Sequence, residues 1–412
     1  MTVFVGCGFV AKYREGGGVF SVPLQWMLGL KRLRLDAVWL EVLPGSGNET
    51  ADRAAIKSFA AQLRFYGLAE NYCLLYQPRA ADAHDLDDMR CFGLPESDLR
   101  ERLTGPNTLL NLSYSVHPPL LLEFERRIFC DLDPSEIFYW MTKIEMGQSY
   151  HNEFWTIGLN AGRPDCRLPV AALLGEAPAI SLSAPSGVAA PAGQRLQQPL
   201  RWQTFFPLVD TEFIQPQRQP TRVKFTTIGQ WYWDGAVEVN GEFPDLSKKV
   251  AFEKYLDLPA RVKRARFELA MNLGKDDPER ERLKERGWCL VNPHRVAKTV
   301  ALYRRYLASS SAEFTAIKGV DVAWQTGWLS DRSAIFMAMG RPVITEDTGA
   351  SKYLPRKSGF RFVGDLESAT DAASEVISDW PRFSRQARAV AVELFDSVRN
   401  LRKILDLPRP WA

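Results

Sequence analysis

The chain has 412 residues and a formal net charge of +3; 46% of its residues are hydrophobic and 25% are charged. This size predicts two globular domains, each with its own core. No apolar run approaches the roughly 20 residues of a membrane-spanning helix, and the N-terminus lacks a signal-peptide pattern, so we expect a cytoplasmic protein without membrane insertion. The six cysteines are scattered without C-x-x-C pairs, so the sequence indicates neither a zinc site nor a disulfide framework.

The first half of the chain alternates predicted strands and helices. An apolar run at residues 3–10 leads through Gly16, Gly17 and Gly18 to a helical pattern at residues 19–33, and the three glycines predict a mobile loop beside a ligand. Alternation of this kind predicts an α/β fold with a parallel sheet wrapped by helices. The other predicted elements are strands at residues 37–42, 72–76, 108–112 and 127–131 and helices at residues 54–65 and 118–125.

A change in composition marks the middle of the chain. Residues 173–219 are rich in Pro, Gln, Ala and Ser without a period, which indicates an interdomain connection. The alternation restarts with a predicted strand at residues 222–228. We therefore predict one domain over residues 1–215 and a second over residues 221–385. The pattern of residues 365–407 is mostly helical, with a break at Trp380-Pro381.

A basic band opens the second half. Residues 248–305 contain 16 Lys and Arg against 8 Asp and Glu. Such a band suits a polyanionic partner or a diphosphate-bearing ligand. A solvated helical face is the other interpretation, because the charges of both signs alternate at residues 276–286.

Residues 313–363 are the most informative part of the sequence. They predict a strand, a turn at Gly327-Trp328, a helix opened by Ser330 and Asp331, and a second strand at residues 343–345 after Gly340-Arg341-Pro342. A second turn, Asp347-Thr348-Gly349-Ala350, follows at once. Two neighbouring strand-to-helix turns bring backbone N–H groups and helix N-termini to one sheet edge, where they favour a phosphate.

The order of these motifs resembles the nucleotide-sugar half of GT-B glycosyltransferases, in which a small-residue helix, G-x-P-V-[IV] and D-x-G-[GA] follow one another. Here they are Gly327 to Ser333, Gly340-Arg341-Pro342-Val343 and Asp347-Thr348-Gly349. The resemblance implies two Rossmann-like, doubly wound domains facing a cleft, with residues 386–412 crossing back to the first. It also implies a nucleotide-diphosphate sugar as co-substrate in the second domain, an acceptor in the first, and no cofactor.

One position departs from that pattern. Many retaining GT-B enzymes place a ribose-binding glutamate on the helix before the G-x-P turn, where this chain has Ile335. Asp331 and Glu346 are the two alternatives for that role.

The resemblance and the charges together nominate donor-site residues. Lys318 and Arg332 are expected to neutralise the leaving diphosphate, since transfer without a metal needs fixed positive charge there. Gly349 permits a close backbone approach, and Ser330, Asp331 and Ser333 are either capping residues, donor contacts or both. The remaining candidates are Gly327, Asp347, Thr348, Gln230 and Trp231, with Trp233 beside them.

Candidates for a general base lie in the first half. His151, Asp131 and Asp133 fall near predicted strand ends, where a base would activate an acceptor hydroxyl. Asp131-Leu132-Asp133 also resembles a D-x-D metal motif, but the following Pro134 and the doubly wound pattern favour a strand end, so no metal is predicted.

Three functions remain open from the sequence. The first is a metal-independent glycosyltransferase whose acceptor is a small molecule, a glycan or a hydroxylated base in DNA. The second is a nucleotide-sugar epimerase of the same fold, and the third is a non-catalytic binding protein. Fold alone does not choose among them.

Overall fold

The computed structural model describes residues 1–79, 81–169, 200–235, 237–239 and 241–408. The chain divides into two compact units. Unit 1 comprises Met1–Gly162, Leu168–Phe205 and Leu401–Ala412, and unit 2 comprises Arg163–Arg167 and Phe206–Asn400. Most of the predicted connection at residues 173–219 lies outside the described residues.

Unit 1 is built on an eight-stranded sheet with the order β4-β3-β2-β1-β5-β6-β7-β8. All neighbouring strands are parallel except β3 and β4. Parallel strands with both faces covered are apolar throughout, and β1 and β3 are buried along their whole length. The strands are β1 Thr2–Cys7, β2 Asp36–Pro44, β3 Tyr72–Gln77, β4 Arg90–Gly93, β5 Asn107–Leu112, β6 Arg126–Asp131, β7 Glu153–Thr156 and β8 Trp202–Thr204.

Among the residues that the structure describes, four helices follow strands of unit 1, and buried Phe4, Val38, Leu75 and Leu109 form part of its core. The helices are α1 Gly17–Arg32, α2 Glu49–Phe65, α3 Glu96–Thr104 and α4 Pro134–Met141. Short 3-10 helices lie at Leu86–Asp88 and Leu120–Glu123. The second of these replaces the helix predicted at residues 118–125.

The prediction that Gly16, Gly17 and Gly18 form a mobile loop is wrong. Gly17 and Gly18 form the first turn of α1, and Gly16 is its N-cap residue, whose carbonyl accepts from the Phe20 N–H at 2.9 Å. The first residues of a helix have no intrahelical N–H partner, so glycine costs less there than in a helix interior. The loop after β1 therefore consists of residues 8–16.

Unit 2 contains a six-stranded, all-parallel sheet with the order β11-β10-β9-β12-β13-β14. Its core includes Phe225, Phe252, Phe267, Trp288 and Phe314. The strands are β9 Lys224–Gln230, β10 Arg266–Asn272, β11 Cys289–Leu290, β12 Ala312–Thr315, β13 Val343–Thr345 and β14 Phe360–Phe362.

The helices of unit 2 are short until the last part of the chain. They are α5 Lys248–Phe252, α6 Leu258–Arg261, α7 Glu279–Glu285, α8 Pro293–Ala297, α9 Val300–Ala308, α10 Gly319–Ala323, α11 Asp331–Ala338, α12 Leu366–Ser378 and α13 Trp380–Val390. Short 3-10 helices occur at Glu253–Tyr255 and Ala350–Tyr353, and a π-helix at Ala391–Phe395 follows α13.

The helical end of the chain breaks where the sequence predicts. Asp379 separates α12 from α13, and Pro381 stands in the first turn of α13, where its missing N–H costs no helical hydrogen bond. The last helix, α14 Ser397–Ile404, runs from unit 2 into unit 1. Within the described ranges, no helix is both long and apolar enough to span a membrane.

Candidate functional site

The carboxyl ends of β9 and β12 mark the point in unit 2 where the strand order reverses. From β9 the chain adds β10 and β11 on one side of the sheet. It then returns to add β12, β13 and β14 on the other side of β9. Ligands of open α/β sheets bind at such a switch point. The loops that follow β9, β12 and β13 therefore line the candidate site.

Arg332 is fixed at this switch point by a buried network. Its Nε donates to Glu313 Oε1 at 2.5 Å, one terminal nitrogen donates to the Ile228 carbonyl at 2.6 Å, and the other to Thr315 Oγ1 at 3.2 Å. The Arg332 side chain is 15% exposed and that of Glu313 is fully buried. Ser333 Oγ donates to the second Glu313 oxygen at 2.7 Å. The Arg332 guanidinium is thus held in one position at the ends of β9 and β12, and Glu313 offsets its charge.

Lys248, at the start of α5, lies beside Arg332. Its Nζ donates to the Ala316 carbonyl just after β12, at 2.7 Å. Part of the side chain reaches solvent, but burial of the amine lowers the Lys248 pKa to about 7, and the positive charge of Arg332 acts in the same direction. An anion placed here would restore the ordinary pKa of the amine.

Lys318 supplies a third cation after β12. It is half-buried, and its Nζ lies 4.6 Å from the ring centroid of Trp233. Its charge contributes to the lowered pKa of Lys248, which puts Lys318, Lys248 and Arg332 in one electrostatic site. Because Glu313 offsets the charge of Arg332, Lys318 and Lys248 supply the net positive charge of this switch point, which favours an anionic ligand.

Helix α11 begins at the same edge with a side-chain cap. Ser330 Oγ accepts from the Arg332 N–H at 3.2 Å, as its residue type predicts. Burial raises the pKa of Asp331, the first helical residue, to about 7. Ser333 faces Glu313 and therefore serves the buried network rather than solvent.

The turn after β13 is built as the sequence predicts. Asp347 Oδ1 accepts from the N–H groups of Gly349 at 2.9 Å and Ser351 at 3.2 Å. Gly349 has a φ of 86°, a conformation that costs other residues energy. The Gly327 N–H donates to the Thr348 carbonyl at 2.8 Å, and Thr348 Oγ1 donates to the Trp328 carbonyl at 2.7 Å. The two predicted turns are therefore hydrogen-bonded to each other.

Glu346 and Asp331, the two alternatives for a ribose-binding carboxylate, differ in burial and in contacts. Glu346 is buried, forms an ion pair with Lys254, and accepts from the Ile317 N–H at 2.7 Å. Asp331 is partly exposed at the helix start. Ile335 is buried in the helix interior and contributes only to packing. Of the two carboxyl groups, Asp331 is the more accessible to a ligand.

The aromatic residues after β9 correct one prediction. Trp231 is 1% exposed and belongs to the core, with its ring 5.6 Å from that of Phe252. The ring nominated as a donor contact thus has no ligand-facing surface. Trp233 is 39% exposed, and Gln230 at the end of β9 is also exposed.

The acidic candidates of unit 1 follow β6. Asp131 is fully buried and accepts from Thr156 Oγ1 at 2.5 Å and from the Asp133 N–H at 2.8 Å. Its carboxylate therefore shapes the turn into α4. Asp133 is partly exposed at the N-cap position of α4, so it is the more accessible of the two. In the described ranges, no group of three His, Cys, Asp or Glu side chains is arranged to hold a metal ion.

His151 is enclosed rather than presented to a substrate. Its Nδ1 faces the Gly147 carbonyl at 2.7 Å and its Nε2 faces Asn111 Nδ2 at 3.0 Å. The carbonyl requires a proton on Nδ1, so Nε2 accepts from the amide. Burial lowers the His151 pKa to about 4. These contacts use the lone pair that a general base needs, and they disfavour the predicted role.

Unit 1 contains a different charged feature at its own switch point, between β1 and β5. Glu41 Oε1 accepts from the N–H groups of Val10 and Ala11, both at 2.7 Å, and Oε2 accepts from Trp39 Nε1 at 3.0 Å. Burial raises the Glu41 pKa to about 7. Successive backbone N–H groups form an anion-binding concavity, and here the protein's own carboxylate occupies it.

An open depression of about 480 Å³ lies elsewhere on unit 1. Asn107 at the start of β5 and Arg127 near the start of β6 line it, which places it at the amino edge of the sheet. Because sheet ligands bind at the carboxyl edge, we do not assign the site to this depression.

Six cations of the basic band form ion pairs within unit 2. Ion pairs link Arg282 with Glu253 and Glu279, and Arg286 with Asp257. Further paired cations of the band are Lys249, Lys254, Arg266 and Lys284. The alternating charges at residues 276–286 thus favour the solvated helical face over a polyanion surface.

Two doubly wound, Rossmann-like sheets in one chain define the GT-B class, and comparison with solved structures confirms this fold prediction. HepE from Anabaena in complex with UDP and glucose is similar, with 11% sequence identity over 98% of this chain and 98% of that chain and a TM-score of 0.51. A trehalose-6-phosphate synthase, OtsA, has 12% identity over 100% of this chain and 99% of that chain, with a TM-score of 0.51.

An E. coli structure bound with UDP-2-fluoro glucose is also similar, with 13% identity over 100% of this chain and 99% of that chain and a TM-score of 0.52. At such identities the likeness shows the fold and leaves the reaction to be argued from the site. No protein-family model matches the sequence. No curated protein matches it either.

Proposed function

We propose that this protein is a glycosyltransferase that moves a sugar from a nucleoside-diphosphate sugar to a hydroxyl acceptor. The observation that carries the proposal is the convergence of Arg332, Lys248 and Lys318 at the carboxyl ends of β9 and β12. The solved structures of the same fold that contain UDP or a UDP-sugar support a nucleoside-diphosphate donor.

The cations suit the departure of a diphosphate. Negative charge accumulates on the phosphate as the bond to the sugar breaks, and fixed positive groups stabilise it without reorganising. Glu313 holds Arg332 in one position, while Lys248 gains its proton fully when an anion arrives. We therefore propose that the reaction uses no metal, and that turnover is unchanged in EDTA.

The acceptor in this proposal is a small molecule or a glycan. Arg282 and Arg286 of the basic band are held in ion pairs, so they are less available to the phosphates of DNA. On the acceptor side, Asp133 is the accessible carboxylate among the three predicted bases.

A binding experiment tests the donor site directly. Calorimetric titration with UDP should show Lys248→Ala and Lys318→Ala binding about 10- to 100-fold more weakly than the unchanged protein, as for lost charged hydrogen bonds. Lys263→Ala is the matched control, because Lys263 is exposed and precedes β10 at the opposite sheet edge. Equal affinity in all four proteins would exclude the assignment.

A mass-spectrometric screen of nucleotide sugars with hydroxyl acceptors tests the reaction. Transfer to a small molecule or glycan is the expected result. Conversion of the sugar without an acceptor would identify an epimerase, and UDP binding without any conversion would identify a binding protein. Transfer to hydroxymethylated DNA alone would restore the DNA alternative.

A further inference from the structure

Three consecutive aromatic residues after β9 have different surroundings. Trp231 is buried in the core of unit 2. The Tyr232 hydroxyl donates to Asp277 Oδ1 at 3.1 Å. Trp233 has a 39% exposed side chain. Trp231 is anchored in the core and Tyr232 is hydrogen-bonded to the loop before α7, so the residue before Trp233 and the one preceding it both have fixed contacts.

The exposed ring contacts one of the site cations. Lys318 Nζ lies 4.6 Å from the centroid of the Trp233 ring, within the range of a cation–π interaction. Indole is the strongest of the aromatic partners for an ammonium group. Arg332 and Lys248 are oriented by hydrogen bonds to the Ile228 and Ala316 carbonyls. The Trp233 ring is an orienting contact of Lys318.

We propose that Trp233 is a positioning residue that holds the Lys318 ammonium at the diphosphate of the donor, an inference that rests on the proposed function. Lysine has a flexible four-carbon side chain and loses rotamer freedom when it binds an anion. The indole face restricts the side chain before the ligand arrives, so less freedom is lost on binding. Trp233 then raises donor affinity without contacting the phosphate.

A double-mutant cycle measured by calorimetry tests this role, with UDP and inorganic pyrophosphate as probes. Trp233→Ala should weaken both probes by about threefold to tenfold, the range expected for a cation–π contact. Trp233→Phe should bind within about twofold of the unchanged protein, because it keeps a ring face. In a Lys318→Ala background, Trp233→Ala should have no further effect. Phe243→Ala is the control, since Phe243 is 63% exposed in the same segment.

Each other result overturns the inference in a recognisable way. Equal losses from Trp233→Ala with and without Lys318 would show that the ring acts independently of the ammonium. A loss for UDP but not for pyrophosphate would show that the ring contacts the nucleoside. Unchanged affinity in Trp233→Ala, with Lys248→Ala still impaired, would remove this inference and leave the proposed function intact. Failure of the unchanged protein to bind either probe would remove both.

Discussion

The switch points of the two sheets have the same topology and opposite electrostatics. In unit 1 the backbone N–H groups of Val10 and Ala11 are filled by the Glu41 carboxylate. In unit 2 the corresponding edge carries Arg332, Lys248 and Lys318. The difference indicates that unit 1 satisfies its backbone N–H groups with its own carboxylate, while in unit 2 Glu313 offsets Arg332 and the positive charge of Lys248 and Lys318 remains. Each Rossmann-like sheet therefore has a switch point where a phosphate could bind, and in unit 1 the Glu41 side chain already occupies it.

The largest test of this contrast concerns the pair that fixes the charge in unit 2. Arg332→Ala should lower the free energy of unfolding by about 3–5 kcal/mol, because it leaves Glu313 buried without its cation. Denaturant titration measures the loss. Arg385→Ala, an exposed change on α13, should stay within about 0.5 kcal/mol of the unchanged protein.

Replacement of both charges separates pairing from packing. Arg332→Met combined with Glu313→Leu should recover much of the lost stability, since no unpaired charge remains. A single Arg332→Ala variant within about 1 kcal/mol of the unchanged protein would show that Glu313 is solvated in another way.

The second test concerns the filled switch point of unit 1. The Glu41 pKa is raised from 4.5 to about 7, so its contribution to stability is complete below about pH 4.5 and is lost as pH rises through 7. Between those values the free energy of unfolding should fall by up to about 3 kcal/mol from this group. Glu41→Gln removes the titration and should abolish this part of the pH dependence.

The test compares the free energy of unfolding of Glu41→Gln with that of the unchanged protein at each pH. The comparison is needed because buried His84 and His151 have lowered pKa values, and their titration changes stability in the opposite direction at nearby pH. Glu49→Gln, at an exposed position of α2, is the control. Parallel stability curves for Glu41→Gln and the unchanged protein would contradict the raised pKa.

The smallest expected effect is the pH dependence of UDP binding in unit 2. Burial lowers the Lys248 pKa to about 7, and a bound diphosphate raises it again, so binding takes up a proton above pH 7. UDP affinity should therefore fall by up to about tenfold per pH unit above 7, where the phosphate itself is already ionised. Lys248→Met should bind more weakly but with a flat profile. A flat profile in the unchanged protein would show that Lys248 keeps its charge without a ligand.

Local chemistry in the sequence predicted the frame of the candidate site well. The Ser330 cap, the left-handed Gly349 and the break before Pro381 each follow from what one residue type does to its own backbone. The parallel sheets follow from alternating apolar runs, and the GT-B prediction is confirmed by the solved structures.

Features that depend on distant partners were not predictable in this way. Lys248 is separated from the end of β9 by residues 231–247, and nothing in its neighbours indicates that the chain returns there. Glu313 and Glu41 stand within strands, where a carboxylate has no local signal of its partner. Tertiary placement likewise buried His151 and Trp231, which the sequence analysis nominated as a general base and a donor contact.

Helix α14 has a consequence for the order in which the protein is made. Arg126, the first residue of β6, donates to the Leu405 carbonyl at 3.2 Å across 279 positions of the chain, and to the Ile404 carbonyl at 3.2 Å. During synthesis the strands of unit 1 emerge early, but these partners follow only after all of unit 2 has been translated. The part of unit 1 that contacts Ile404 and Leu405 is therefore exposed until the whole of unit 2 has been translated, and the sheet of unit 2 can fold before unit 1 is complete.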